Sequence, residues 1–170
     1  MNLAKFKILA GLRSEEKQLN ASIYKDYTQI KTNIIKKAFN DFELFFEDQG
    51  FKVINNNGTK RTVRFFELEI EVQLIESEPT EADALFKLTV SEPEVSVDIM
   101  LMNKAAGFSV KNQGTGIDNE IDVCKQQITY ASKRLENLSK EEWYYTYPSE
   151  SEGQEFRSLK SLLVKMFEVK

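Results

Sequence analysis

Residues 66–74 read FELEIEVQL, and this stretch decides the fold class. Phe66, Leu68, Ile70, Val72 and Leu74 alternate with Glu67, Glu69, Glu71 and Gln73. Successive strand side chains point to opposite faces, so the alternation predicts a half-buried antiparallel strand, here running roughly over 60–75. Upstream, Phe51–Ile54 leads into Asn55-Asn56-Asn57-Gly58. Asn-Gly favours a two-residue hairpin turn because both central positions need φ > 0. Downstream, an acidic loop over 76–83 precedes strands expected at 85–91 and 94–102 around Glu92-Pro93. Val95, Val97, Ile99 and Leu101 form the apolar face of the second, and Phe108–Lys111 reads as a fifth strand. Connections this short exclude parallel crossovers, so the strands form a meander.

Helical periodicity brackets the strands. From Ser14 to Gly50, Leu19, Ile23, Tyr27, Ile30, Ile34, Ala38, Phe42 and Phe45 fall at steps of three or four, one stripe of an α-helix. The stripe is narrow at first and widened later by Ile35, Phe39 and Phe46. A wide stripe suits a sheet and a narrow one a seam against another helix. The later half is therefore expected on the sheet, and the earlier half against C-terminal helices or a second subunit. Gly50 suits a helix stop. In the last third, Ile117, Ile121, Cys124, Ile128, Ala131, Leu135 and Leu138 make another stripe, with Thr115 as its expected N-cap. Ser139 with Glu142 reads as a capping box opening a short helix, EEWYYTY, and Ser151 with Gln154 as the start of a last one.

The fold expected is thus α+β: an antiparallel meander of about five strands between a long N-terminal helix and two or three C-terminal helices. Residues 1–170 are read as one domain, with a helical arm at 1–50, the sheet at 51–112 and helices at 115–169.

Composition narrows the chemistry. There is no histidine, which removes histidine bases, Ser-His-Asp and Cys-His arrangements and histidine metal ligation. The one cysteine, Cys124, admits no intrachain disulfide and sits in an apolar stripe, as a core cysteine does. No apolar run is long enough to span a bilayer, and Lys5 and Lys7 interrupt the N-terminal apolar stretch, so it reads as helix and not as a signal peptide. A cytoplasmic location is expected. The net charge of −4 hides an asymmetry: residues 1–40 carry +5 and residues 41–100 carry −9. Attraction between helix and sheet explains it within one fold, and two faces offered to partners explain it between molecules.

The candidate sites are few. Glu67, Glu69, Glu71 and Asp98 could hold Mg²⁺ or act as acid and base on a phosphate ester, although carboxylates from one strand face are ordinarily a solvated surface. Gly114-Thr115-Gly116 lacks the third glycine or the lysine of a phosphate loop. Trp143, Tyr144, Tyr145 and Tyr147 crowd five positions, and such rings dominate binding hot spots. Lys25 and Lys36, with the other bases of the first helix, could meet a phosphate backbone or an acidic partner.

The reading that results is a non-enzymatic protein-interaction module: an adaptor, inhibitor or accessory subunit of the kind mobile elements or phages encode. Its partner-binding residues are Trp143, Tyr144, Tyr145, Tyr147, Lys25 and Lys36. The partner is another protein or a second copy of the chain, a homodimer through the N-terminal helix. No cofactor, metal or membrane is called for, and an acidic pI near 5.1 disfavours nucleic acid. The alternatives are a carboxylate and Mg²⁺ enzyme on phosphate esters, and a nucleic-acid accessory protein using the basic helix.

Overall fold

A computed structural model describes residues 2–75, 82–105, 107–111, 114–148 and 153–168. Its fold is α+β: a long N-terminal helix, a six-stranded antiparallel sheet in the order β1 to β6, and C-terminal helices. The chain groups into two compact units, residues 1–32 with 105–141 and residues 33–104 with 142–170.

The second unit contains the sheet: β1 (Lys52–Asn57), β2 (Lys60–Phe65), β3 (Leu68–Ile75), β4 (Ala84–Val90), β5 (Val95–Lys104) and β6 (Glu142–Thr146). Every neighbouring pair is antiparallel: short turns require it from β1 to β5, whereas β6 returns to β5 after the long excursion that contains a helix. One helix, α1 (Leu3–Asp48), supplies the later half of the expected stripe to this core, where Ala38, Phe39, Phe42, Phe45 and Phe46 are all buried. They meet Val63, Ile70, Val72, Phe86, Leu88, Ile99 and Leu101 of the sheet and Leu159, Leu162 and Leu163 of α3 (Leu159–Met166). Phe39 and Phe86 pack edge to face at 5.7 Å, a favoured aromatic geometry. One cation enters this interface. Arg61 lies over the Phe39 ring at 4.5 Å, with its Nε 2.5 Å from Glu43 Oε1, although that N–H does not point along the contact. Glu43 also accepts from Asn56 Nδ2 at 2.9 Å, so one carboxylate of α1 ties down β1 and β2.

The helix α1 ends as its sequence demands. Gly50 has φ 86°, its N–H reaches the Glu47 carbonyl at 2.9 Å, and the Phe51 N–H reaches Phe46 at 3.0 Å. This is the Schellman pattern, which needs a left-handed residue.

The first unit holds the earlier part of α1 and α2 (Ile117–Asn137), which ends in a 3₁₀ turn at Leu138–Lys140. The helices run parallel: Lys5 pairs with Asp118 at 2.6 Å, Leu9 packs with Ile121 and Cys124, and Ile23 shares a cavity wall with Ala131 further along. The narrow early stripe therefore does face a C-terminal helix, and Cys124 is buried in that seam.

Several expectations are corrected. The strand expected over 60–75 is two, β2 and β3, joined by a turn at Phe66-Glu67 where Phe66 takes φ 53°. A β-hairpin turn normally places Gly, Asn or Asp at such a position, and a bulky residue costs about 1 kcal/mol there. The signal was a change of parity, from Val63 and Phe65 to Leu68, Ile70 and Val72. The segment EEWYYTY is strand β6 and not a helix: rings and a β-branched threonine suit a pleated surface, and β5 offers an edge to pair with. Phe108–Lys111 is not a strand; the Gln126 side chain bonds both the N–H and the carbonyl of Lys111, at 3.2 and 3.5 Å, and this holds the segment on α2. Gly116, with φ 99° and no side-chain cap, stands where Thr115 was expected to cap α2. The last helix opens later, at a capping box of Ser158 and Ser161, and Phe156 precedes it in a β-bridge. Ser151 and residues 76–81 of the acidic loop lie outside the described residues.

Candidate functional site

Two rings of the aromatic cluster, Trp143 and Tyr144, form one wall of a cleft at the β6 edge. Strand alternation sends the four rings to different faces: Tyr145 is buried in the core, Trp143 and Tyr147 pack against it partly covered, and Tyr144 faces the other way. The Tyr145 N–H and carbonyl bond Phe156 at 2.7 and 2.9 Å, which uses part of the free edge. Burial, and then the charge of Asp41, push the Tyr145 hydroxyl above its ordinary pKa.

Trp143 and Tyr144 line a cleft of about 370 Å³ with Lys104, Glu142, Glu155 and Arg157. Lys104 Nζ is 2.5 Å from Glu155 Oε2 and 5.0 Å from the Tyr144 ring centre. Its hydrogen bond to Glu155 holds the ammonium above the usual amine range, against a smaller opposing effect of desolvation. The cleft thus sets two cations beside two carboxylates, of which Lys104 and Glu155 are paired. Of the residues singled out in the sequence, Trp143 and Tyr144 come together here. Lys25 and Lys36 do not join them: both are exposed on α1, the first in the first unit and the second in the second.

The acidic strand face is a ladder of pairs. Glu69 pairs with Arg64 directly opposite on β2, Glu71 Oε2 lies 2.6 Å from Lys60 Nζ, and Asp98 stands opposite Lys87. Glu67 is in the turn. Cross-strand opposite charges stabilise a sheet in this way, and no cluster of carboxylates able to hold a metal ion occurs among the described residues.

A surface that the sequence did not single out lies at the start of α1. At 100° per residue, Leu9 and Leu12 face α2, Leu3, Phe6 and Ala10 lie on one flank, and Ala4 and Ile8 on the other. Leu3, Phe6 and Ile8 are 69, 47 and 52% exposed. Around them stand Lys5, Lys7 and Arg13, while Asp118, Glu120 and Asp122 open α2 at the same end of the pair. Four of these charges already meet in two pairs, Lys5 with Asp118 and Arg13 with Glu120, each at 2.6 Å. The signal was present in residues 3–12, which are apolar on nearly every side.

No protein-family model matches the chain, and neither the curated proteins nor the solved structures contain a match to it. Among the described residues no helix is long and apolar enough to cross a membrane.

Proposed function

We propose that this protein is a non-enzymatic interaction module and that the start of α1 is its docking surface, taken by a second copy of the chain. The observation that carries the reading is a helix apolar nearly all round with one side covered. Such a helix belongs in an interior, yet α2 covers the Leu9 and Leu12 face alone and leaves Leu3, Phe6 and Ile8 in water. Exposed apolar residues that cluster mark interaction surfaces, whereas scattered ones do not.

A second copy fits by charge. In a two-fold contact each surface meets itself, so the bases of α1 in one copy would approach the acids opening α2 in the other. Lys7 is exposed, and Asp118 keeps 71% of its side-chain surface in water despite its pair with Lys5. Two parallel helix pairs packed in this way make a four-helix arrangement whose shared interior takes up the flank of Leu3 and Phe6. Trp143 and Tyr144 would serve a further protein partner at the β6 cleft.

Sedimentation equilibrium of the full chain tests the proposal. A mass of twice 19.7 kDa is expected at micromolar concentrations, falling to the single-chain value in Leu3→Glu/Phe6→Glu with an unchanged circular dichroism spectrum. A single-chain mass at 100 µM and low salt would sink it.

A further inference from the structure

Four cavities can be compared by the charge on their walls. The cleft at β6 sets Lys104 and Arg157 against Glu142 and Glu155. A cavity between α1 and α2 sets Arg13 against Glu16 and Glu120, and its neighbour further along sets Arg134 against Glu16. The fourth differs. It has a volume of about 430 Å³ and is lined by Phe108, Lys125, Gln126, Thr129, Tyr130 and Lys133, two ammonium groups and no carboxylate.

Its aromatic residues are already arranged as a stack. The Phe108 and Tyr130 rings lie 4.0 Å apart at 13°, nearly parallel. Phe108 is 42% exposed, so the stack is open to a further flat ring. Gln126 holds the segment that carries Phe108 by its two bonds to the Lys111 backbone, so the platform is preorganised. Lys125 and Lys133 are eight residues apart, about 12 Å along the helix, and Tyr130 lies between them. Among the described residues Lys125 has one weak pair, Asp122 at 3.9 Å, with both side chains more than half exposed.

We infer that this cavity binds a nucleotide: the base extends the Phe108–Tyr130 stack and the phosphate lies between the ammonium groups of Lys125 and Lys133. Stacking on an aromatic side chain together with lysines along the phosphate path is how proteins hold bases without reading their sequence. The excess charge selects for the anion, and the Thr129 oxygen, whose proton goes to the Lys125 carbonyl at 2.9 Å, is left to accept from a base edge. Free nucleotides and single strands share this chemistry.

The test uses the full chain at low salt with three probes: adenosine 5′-monophosphate, adenosine, and a labelled 12-nucleotide oligo(dT). Calorimetry for the small probes and fluorescence anisotropy for the strand should show binding of the monophosphate, the strand or both. A strand bound much more tightly than the mononucleotide identifies single-stranded nucleic acid as the natural source, and comparable affinities identify the free nucleotide. Adenosine should bind at least about tenfold more weakly than its monophosphate. Phe108→Ala should weaken whichever probe binds by about tenfold or more, and Lys133→Glu should weaken it and flatten its salt dependence. Phe108→Trp should keep the affinity and add an emission that the bound base quenches, which separates a lost platform from a disturbed fold. The inference is overturned if neither phosphate-bearing probe binds at millimolar monophosphate or 50 µM strand. It is equally overturned if adenosine binds as well as its phosphate, or if Phe108→Ala and Lys133→Glu leave affinity unchanged.

Discussion

The two units of this chain share one helix and bury it in opposite ways. In the second, α1 lies on a sheet and joins a cluster of eighteen buried residues; in the first it meets one helix, and the buried cluster has three, Leu9, Ile121 and Cys124. Charge divides along the same line. The first unit has eleven basic and eight acidic residues, net +3, and the second twelve and nineteen, net −7. A sheet offers a helix a broad apolar floor, whereas a single helix offers a seam one stripe wide. Folding energy is thus concentrated in the sheet unit, while the helix pair leaves Leu3, Phe6 and Ile8 of its first helix in water.

The contrast can be broken most forcefully in the sheet unit. Phe86 is fully buried between Phe39 and Tyr145, and truncation to alanine leaves a cavity that neighbours on a regular sheet cannot fill. Phe86→Ala should cost about 3–5 kcal/mol in urea unfolding. A loss below 1 kcal/mol would mean that the core is not where the burial places it. Leu9→Ala probes the thinner seam. It should cost about 2 kcal/mol, read as faster amide exchange in residues 3–32 and 117–137, with β2 to β5 unchanged. Uniform loss of protection across the sheet would erase the distinction between the units.

A third test uses pH. The folded state raises the Tyr145 pKa above its usual 10.0, because burial and Asp41 disfavour the phenolate. The stabilising effect is therefore complete below pH 10 and declines as pH climbs toward the folded value, since the unfolded chain loses the proton first. Between pH 10 and 11, Tyr145→Phe should remove up to about 1.4 kcal/mol of the alkaline loss of stability. Equal slopes for the two proteins would show that Tyr145 ionises freely. The smallest effect concerns the end of α1. A Cβ at Gly50 would meet Phe65 at 3.6 Å, an ordinary contact, so the cost of Gly50→Ala is that of φ 86° alone, about 1 kcal/mol in thermal unfolding. No change would mean that the Schellman stop is not needed.

Much of the architecture was legible because it rests on periodicity. The alternation of Leu68, Ile70, Val72 and Leu74, the widening stripe of α1 and the glycine stop at Gly50 each express a local geometric rule. The errors fell where local signals were weak or ambiguous. A turn carried by Phe66 has no turn residue to announce it, and four rings in EEWYYTY fit a strand or a short helix equally until β5 supplies hydrogen bonds. The candidate surfaces were harder still. Trp143 and Tyr144 were visible as residue types, but which rings reach water depends on the strand that holds them. The Phe108–Tyr130 stack joins residues twenty-two positions apart through a segment that looked like a strand.

The sequence by itself determined an antiparallel α+β fold, the end of the long helix, and a chemistry without histidine, since these depend on composition and on patterns a few residues long. Tertiary structure alone decided that β6 adds the last edge strand to the sheet, that Glu69 and Glu71 are paired, and that the start of α1 keeps two flanks uncovered. Each of these depends on which distant segment arrives to satisfy a hydrogen bond, a charge or an apolar face, and no local pattern records that arrival.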